Sequence, residues 1–434
     1  MERKKQTPVE NFVIFLALLL LYVQTSAQHY VFADRFDGAA LYADVVHYVK
    51  LGIHRTGTEG DNKTSEWIKG ILDKNGFKTE YVTFPVKQFF PEKTQLTVGG
   101  KALEVFPVWP VANPNVQLTG ALVDAQNGTE VVKDKIVWIS QVSKERSFSF
   151  LDQDNAKVIK KFIDLGAKAI VLIADNAAGE IAAINTSPGD SWAVPVVQLA
   201  PKDLPHLKDG ATASLNIRGE LREVTARNIQ GTIGSGEKTV IISTPISGWF
   251  TCGGERGPGI ATFNALAKWV AEKKLPYKFI FTGNSGHELA QHQGTHIFLH
   301  QKAPKPEDVR LWFHLGASFA THNYVKTAGG VAKRPEADGN RIVYYSGDFS
   351  KPLDEAFKNV KINKAPDKAY GELVVAQQKG YSRFIGLVGT ASFALFHTPL
   401  DDASTTSPKL LEEMANAVKD AIELELARDQ RGKP

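Results

Sequence analysis

The stretch Ser243-Thr-Pro-Ile-Ser-Gly-Trp-Phe-Thr-Cys-Gly-Gly-Glu-Arg-Gly-Pro-Gly259 decides how the rest of this chain is read. An apolar run over residues 239–242 leads into it, as a strand would. A helical pattern follows, with Phe263, Leu266, Ala267 and Val270 on one face. A strand, a glycine-rich loop and a helix in that order build the crevice at the carboxyl end of a sheet, where α/β proteins bind ligands. The loop carries the only cysteine, Cys252, and an adjacent Glu255-Arg256 pair. Its glycines allow the backbone to approach a ligand or metal closely. Alone, the stretch reads first as a structural strand-to-helix turn, and the residues downstream change that balance.

The chain opens with an export signal. Arg3, Lys4 and Lys5 precede an apolar run over residues 12–23 and the small residues Thr25-Ser-Ala27. That run is short of the roughly 20 residues a membrane span needs. Residues 1–27 therefore read as a cleaved signal peptide, with an uncleaved anchor as the alternative, and the mature protein as secreted or periplasmic, without stable membrane insertion once the signal is removed. The remaining net charge, about +3, is small and scattered, which argues against nucleic acid as a partner. One cysteine excludes an intramolecular disulfide framework. The length calls for two domains, or one domain carrying an insertion.

Two helices are expected first, around Leu41, Val45 and Val49 and then around Trp67, Ile68 and Leu72. The polar turn His54-Arg-Thr-Gly-Thr-Glu-Gly60 lies between them, and an alternating strand over residues 77–84 follows. Pro110 and Pro114, two prolines in five residues, mark a boundary. Short strands at 135–139, 169–173 and 194–199 and a helix over 158–165 then give the next hundred residues a different character. From residue 227 strands at 239–242, 279–282, 311–315 and 342–345 alternate with helices at 259–274 and 288–299. Ser407-Pro408 starts a last helix. The expected fold is α/β, a mixed central sheet with helices on both faces.

Residues 115–219 resemble the protease-associated domain, a β-rich module inserted in secreted peptidases. Three other segments together resemble the co-catalytic zinc aminopeptidases, the aminopeptidase Y-like group. They are Arg55-Thr-Gly-Thr-Glu-Gly60 with Trp67-Ile68, the strand and helix over 281–299, and Phe396-His-Thr-Pro-Leu-Asp401. The resemblance implies an aminopeptidase-like domain in two parts, 28–112 and 220–434, around a protease-associated domain at 113–219.

Carried over residue by residue, the family's metal pattern is degenerate here. Its His-x-Asp falls on Pro245-Ile-Ser247, and proline cannot ligate a metal. The bridging aspartate matches Glu255. Of two consecutive glutamates, the general base matches His287 and the metal ligand Glu288. A further aspartate falls on Gly316, and the closing histidine is His397. Glu255, Glu288 and His397 would hold one zinc ion at most, with His287 as acid/base. Alternatively the Arg256 guanidinium takes the place of the lost cation and no metal binds. Ser247, Trp249 and Cys252 are the candidate substrate-binding residues, and His287, Glu288 and Arg256 the candidate catalytic ones.

His292, His296 and His300 follow at helical spacing and are expected to be surface or satisfied histidines. Cys252 paired with His287 is a weaker nucleophile reading. Three functions remain open. One is a hydrolase acting on an amide or related bond of a small peptide-like or amino-bearing substrate. The second is a pseudoenzyme that only binds such a ligand, and the third a metal-independent enzyme using His287 and Arg256.

Overall fold

Asp37 caps the first helix among the described residues, α1 (Gly38–Lys50), its carboxylate accepting the Ala40 amide at 2.7 Å. The computed structural model describes residues 34–128, 132–140, 153–186, 192–288, 292–389 and 393–431. The expected signal peptide lies outside them. After the polar turn comes α2 (Glu59–Lys74), with Ile68 and Leu72 buried. Next follow β1 (Lys78–Val98), β2 (Lys101–Pro107), β3 (Asn115–Asp124), β4 (Ile136–Ser140), α3 (Gln153–Asp164), β5 (Ala169–Ile173), β6 (Val196–Leu199) and β7 (Thr212–Ile233).

β1 and β7 set the architecture. They pair antiparallel from Lys78 opposite Thr232 to Val98 opposite Ala213, so one long ribbon serves two regions. At one end β7 joins the main sheet, and at the other β3 and β2 lead into the short parallel strands β4, β5 and β6. β1 was expected to stop near Phe84 and continues through Pro85 and Pro91. Up to Pro91 it pairs only with β7 among the described strands, and a strand paired on one side tolerates proline.

The main sheet continues with β8 (Thr239–Pro245), α4 (Gly257–Lys273), β9 (Lys278–Asn284), α5 (Gln293–Gln301) and β10 (Val309–Leu315). A hairpin, β11 (His322–Thr327) with β12 (Gly330–Ala337), stands apart. Then come β13 (Ile342–Ser346), α6 (Ser350–Ala356), β14 (Asn363–Pro366), α7 (Glu372–Gln378), β15 (Phe384–Val388) and α8 (Pro408–Arg431). The strand order is β7-β9-β8-β10-β15-β13-β14. β9, β8, β10 and β15 are mutually parallel, whereas β7 and β13 run against their neighbours β9 and β15.

The two-residue period of a strand explains the layers. Val240 and Ile242, Phe279 and Phe281, Leu311 and Phe313, and Ile385 and Leu387 face one core, which holds Leu41 and Val45 of α1, Phe263 of α4 and Met414 of α8. The alternate residues Ile241, Ile280, Trp312 and Phe384 face a second core with Phe298 of α5 and Leu373 of α7. The smaller region repeats the plan. Ile136, Trp138 and Val171 face one cluster, Val137 and Ile170 another with Ile159 and Phe162 of α3. β2 pairs with β6, which carries residues 101–107 into this region ahead of the proline cluster.

The helix expected over 288–299 is α5, and it starts only at Gln293 because His292 holds a left-handed backbone. Residues 289–291 lie outside the described residues. The loops that follow β8, β9, β10 and β15 all sit at the carboxyl ends of parallel strands, and these carry the site.

Phe281 has no exposed surface and packs edge-on against Phe77 and Phe263 at 5.2 and 5.0 Å. Phe281→Ala is expected to lower the unfolding free energy by about 3–5 kcal/mol in urea titrations, from lost transfer energy plus a cavity.

Candidate active site

The loop after β8 does not hold its shape by itself. Asp401 ties it down: its carboxylate accepts the Gly254 amide at 2.6 Å and the Glu255 amide at 3.0 Å, and its carbonyl accepts from Gly253 and Thr251. The approach is close enough to require glycine. A Cβ on Gly253 would stand 2.2 Å from the Asp402 carbonyl carbon, and one on Gly254 2.4 Å from Thr405 Oγ1. Of the eight non-glycine residues with positive φ among those described, Cys252, His292, Ser318 and His397 lie in the loops at this end of the sheet. Such strain collects where function fixes the backbone.

Glu255 and Arg256 end this loop, directly before α4. Glu288 follows β9, and His397 follows β15. One ligand atom each of Glu255, Glu288 and His397 lies within 4.8 Å of the others, so the structure brings the expected metal set together. It also puts Arg256 among them. Arg256 Nη2 lies 2.9 Å from Glu255 Oε1 and 2.5 Å from Glu288 Oε1, with both carboxylates and the guanidinium buried. Arg256 Nε donates to the Ser247 carbonyl at 2.8 Å, and the Ser247 hydroxyl donates to Glu288 Oε2 at 3.2 Å. Burial alone would raise the Glu255 carboxyl, but Arg256 and then His397 hold it well below the usual carboxylate range.

The donors suit zinc in kind. His397 Nδ1 donates to the Ala183 carbonyl at 2.9 Å and turns Nε2 toward Glu255 Oε1, 3.3 Å away, as a ligating histidine would be oriented. Glu255 Oε2 makes no hydrogen bond among the described residues. The cation's place is nevertheless taken. A zinc ion bound to Glu255 and Glu288 would meet a buried guanidinium that cannot lose its proton. The three residues therefore do not fit a metal while Arg256 stays between them. At Gly316, where the family pattern has aspartate, a Cβ would stand 2.4 Å from the Leu387 carbonyl, so this backbone has no room for the side chain.

His287 lies beside this cluster and is partly exposed. Its Nδ1 is 3.1 Å from Glu372 Oε1, at the start of α7, and 3.2 Å from His292 Nδ1. Burial alone would raise the Glu372 carboxyl, but His314 and His287 hold it well below its ordinary value. Ser247 accepts the backbone amides of Gly286 and His287 at 3.0 and 3.2 Å and so couples the two loops.

Trp249 contacts the smaller region. Its indole donates to Asn185 at 2.6 Å and packs on Trp109, 5.1 Å between centroids, where the loop meets the smaller region. Cys252 is buried, which pushes its thiol well up, so it stays protonated and is no activated nucleophile. His296 and His300 are exposed, as expected, whereas His292 faces His287.

Sequence reasoning missed Glu372, which reads as an ordinary first-turn acid, and gave Asp401 no role although it closes the His397 motif. It also missed Asp61, a buried residue of α2. Asp61 accepts the Gly57 amide at 2.8 Å and the Ser285 hydroxyl at 2.6 Å, tying the polar turn to the loop after β9.

No family model matches this chain, and no curated protein matches its sequence. Solved structures do match its fold. A zinc aminopeptidase from Bacillus subtilis superposes with a TM-score of 0.69 at 15% identity, covering 90% of this chain and 95% of its own. An aminopeptidase from an Aneurinibacillus species gives 0.63 at 16%, covering 89% and 93%. A peptidase precursor from Shewanella amazonensis gives 0.68 at 17%, covering 89% and 93%. The fold is that of the zinc aminopeptidases.

Burial pushes the Asp61 carboxyl up to about 7. Between about pH 4 and 7 the folded state keeps a proton that the unfolded chain releases, so this group lowers stability as pH rises through that window. Asp61→Asn is expected to flatten that part of the stability profile, measured by urea denaturation of both proteins across it.

Proposed function

We propose that this protein is an exported hydrolase of aminopeptidase fold that cleaves an amide or related bond of a small peptide-like or amino-bearing substrate. Its centre holds no metal at Glu255, Glu288 and His397, and Arg256 supplies the positive charge there. The observation that carries this reading is the Arg256 guanidinium bridging two buried carboxylates at 2.9 and 2.5 Å.

The remaining groups divide the chemistry among them. His287 commits Nδ1 to Glu372, which leaves Nε2 to take a proton from the attacking water and return it to the leaving nitrogen. Arg256 Nη1 has no acceptor among the described residues and is available to the oxygen that gains charge as water adds to the carbonyl carbon. Glu255 Oε2, also without a hydrogen bond, would accept from a substrate amino group. Glu288 and Ser247 position Arg256.

Residues 113–219 would act as a protease-associated module shaping access. Ala183 and Asn185 of that region hold His397 and Trp249, which supports the assignment. Residues 1–27 have the pattern of an export signal. Among the described residues no helix is long and apolar enough to cross a membrane.

A second reading, a pseudopeptidase that binds the same ligand class without turnover, is favoured by the near-complete burial of the cluster. Glu255 is 0% and Arg256 1% exposed. Aminoacyl and peptide amides offered to the purified protein separate the two. Turnover that survives chelation and falls by at least about a hundredfold in His287→Ala supports the hydrolase. Turnover abolished by chelation and restored by zinc contradicts the metal-free centre. Binding without product for every amide leaves the pseudopeptidase.

A further inference from the structure

Three ligand atoms converge beside the guanidinium cluster without belonging to it. His287 Nδ1 lies 3.2 Å from His292 Nδ1 and 3.1 Å from Glu372 Oε1. One ligand atom of each residue lies within 4.8 Å of the other two. Tetrahedral coordination at about 2.1 Å sets neighbouring ligand atoms about 3.4 Å apart, so the short contacts have the spacing of a coordination edge.

Hydrogen bonding alone accounts poorly for this arrangement. Both short contacts end on one atom, His287 Nδ1, which carries at most one proton. The single Nδ1 proton of His287 would then have to serve both His292 and Glu372. One cation between the three atoms would satisfy all of them.

The surroundings are those of an oriented ligand set. Glu372 Oε2 lies 2.7 Å from His314 Nε2. His314 Nδ1 meets the Ser243 hydroxyl at 2.8 Å, and Ser243 accepts the Trp312 indole at 2.7 Å. This buried relay fixes the carboxylate as outer partners fix metal ligands. His292 holds a left-handed backbone, φ 70°, and its ring lies 4.6 Å from that of His287. A non-glycine residue adopts that conformation at a cost, which the surrounding structure must offset.

We propose that His287, His292 and Glu372 bind one divalent transition-metal ion, with zinc the best match to two imidazoles and a carboxylate. None of the three corresponds to a metal ligand of the aminopeptidase pattern. His287 stands at its general-base position, and Glu288 and His397 stand at ligand positions. An ion here occupies Nδ1 of the acid/base histidine and breaks its contact with Glu372, so zinc would inhibit the hydrolase. That consequence rests on the activity proposed above, whereas the binding does not.

The test uses chelator-stripped full-length mature protein, titrated with zinc chloride in a calorimeter and with cobalt(II) in a spectrophotometer. About one ion per chain is expected, with visible cobalt bands of tetrahedral intensity. His292→Ala should weaken zinc binding at least tenfold and abolish the bands, by the loss of a ligand. His292→Asp, which keeps a ligand atom, should retain the bands and so show that the alanine variant has not merely misfolded. His397→Ala should leave the affinity unchanged. Absence of binding, indifference to His292→Ala, or loss in His397→Ala overturns the proposal. None of these readouts needs a substrate, so they stand whether or not the hydrolase reading does.

Discussion

Two buried carboxylates can share a site only if positive charge lies between them. Glu255 and Glu288 are such a pair, and Arg256 supplies the charge. Removing ions from water costs several kcal/mol each, and the cost is offset only where geometry and further hydrogen bonds are good. Much of the surrounding structure serves that end. Asp401 clamps the backbone that presents Glu255, Ser247 takes part in holding both the guanidinium and Glu288, and two glycines let the clamp close.

The chain shares its fold with a zinc aminopeptidase. Here a guanidinium lies between the two carboxylates. A guanidinium is fixed to the chain and always charged, so the site is balanced without an ion from solution. His287, at a position that would be glutamate in the pattern, meets Glu372 directly, and the other oxygen of Glu372 is held by a relay through His314 and Ser243 to Trp312.

The fold was legible because its signals are local and periodic. Residues 239–242, 279–282 and 311–315 announced buried strands, and Phe263 to Val270 announced the helix after the loop. The carboxylate cluster was legible through the resemblance alone, since Glu255, Glu288 and His397 are far apart in sequence. Arg256 could be suspected because it adjoins Glu255. Glu372 could not, because an acidic residue opening a short helix looks like a surface residue until β15 and α7 are packed. His292 was hidden for a different reason: helical spacing with His296 and His300 suggested one surface, and a left-handed residue before α5 breaks that register.

The most direct test of the central substitution, guanidinium for metal, is a crystal structure of zinc-soaked protein with anomalous data at the zinc edge. The account predicts the Arg256 guanidinium between Glu255 and Glu288, and no anomalous peak within coordination distance of both carboxylates and His397. A peak joining those three side chains, with Arg256 swung out of the pair, would contradict it.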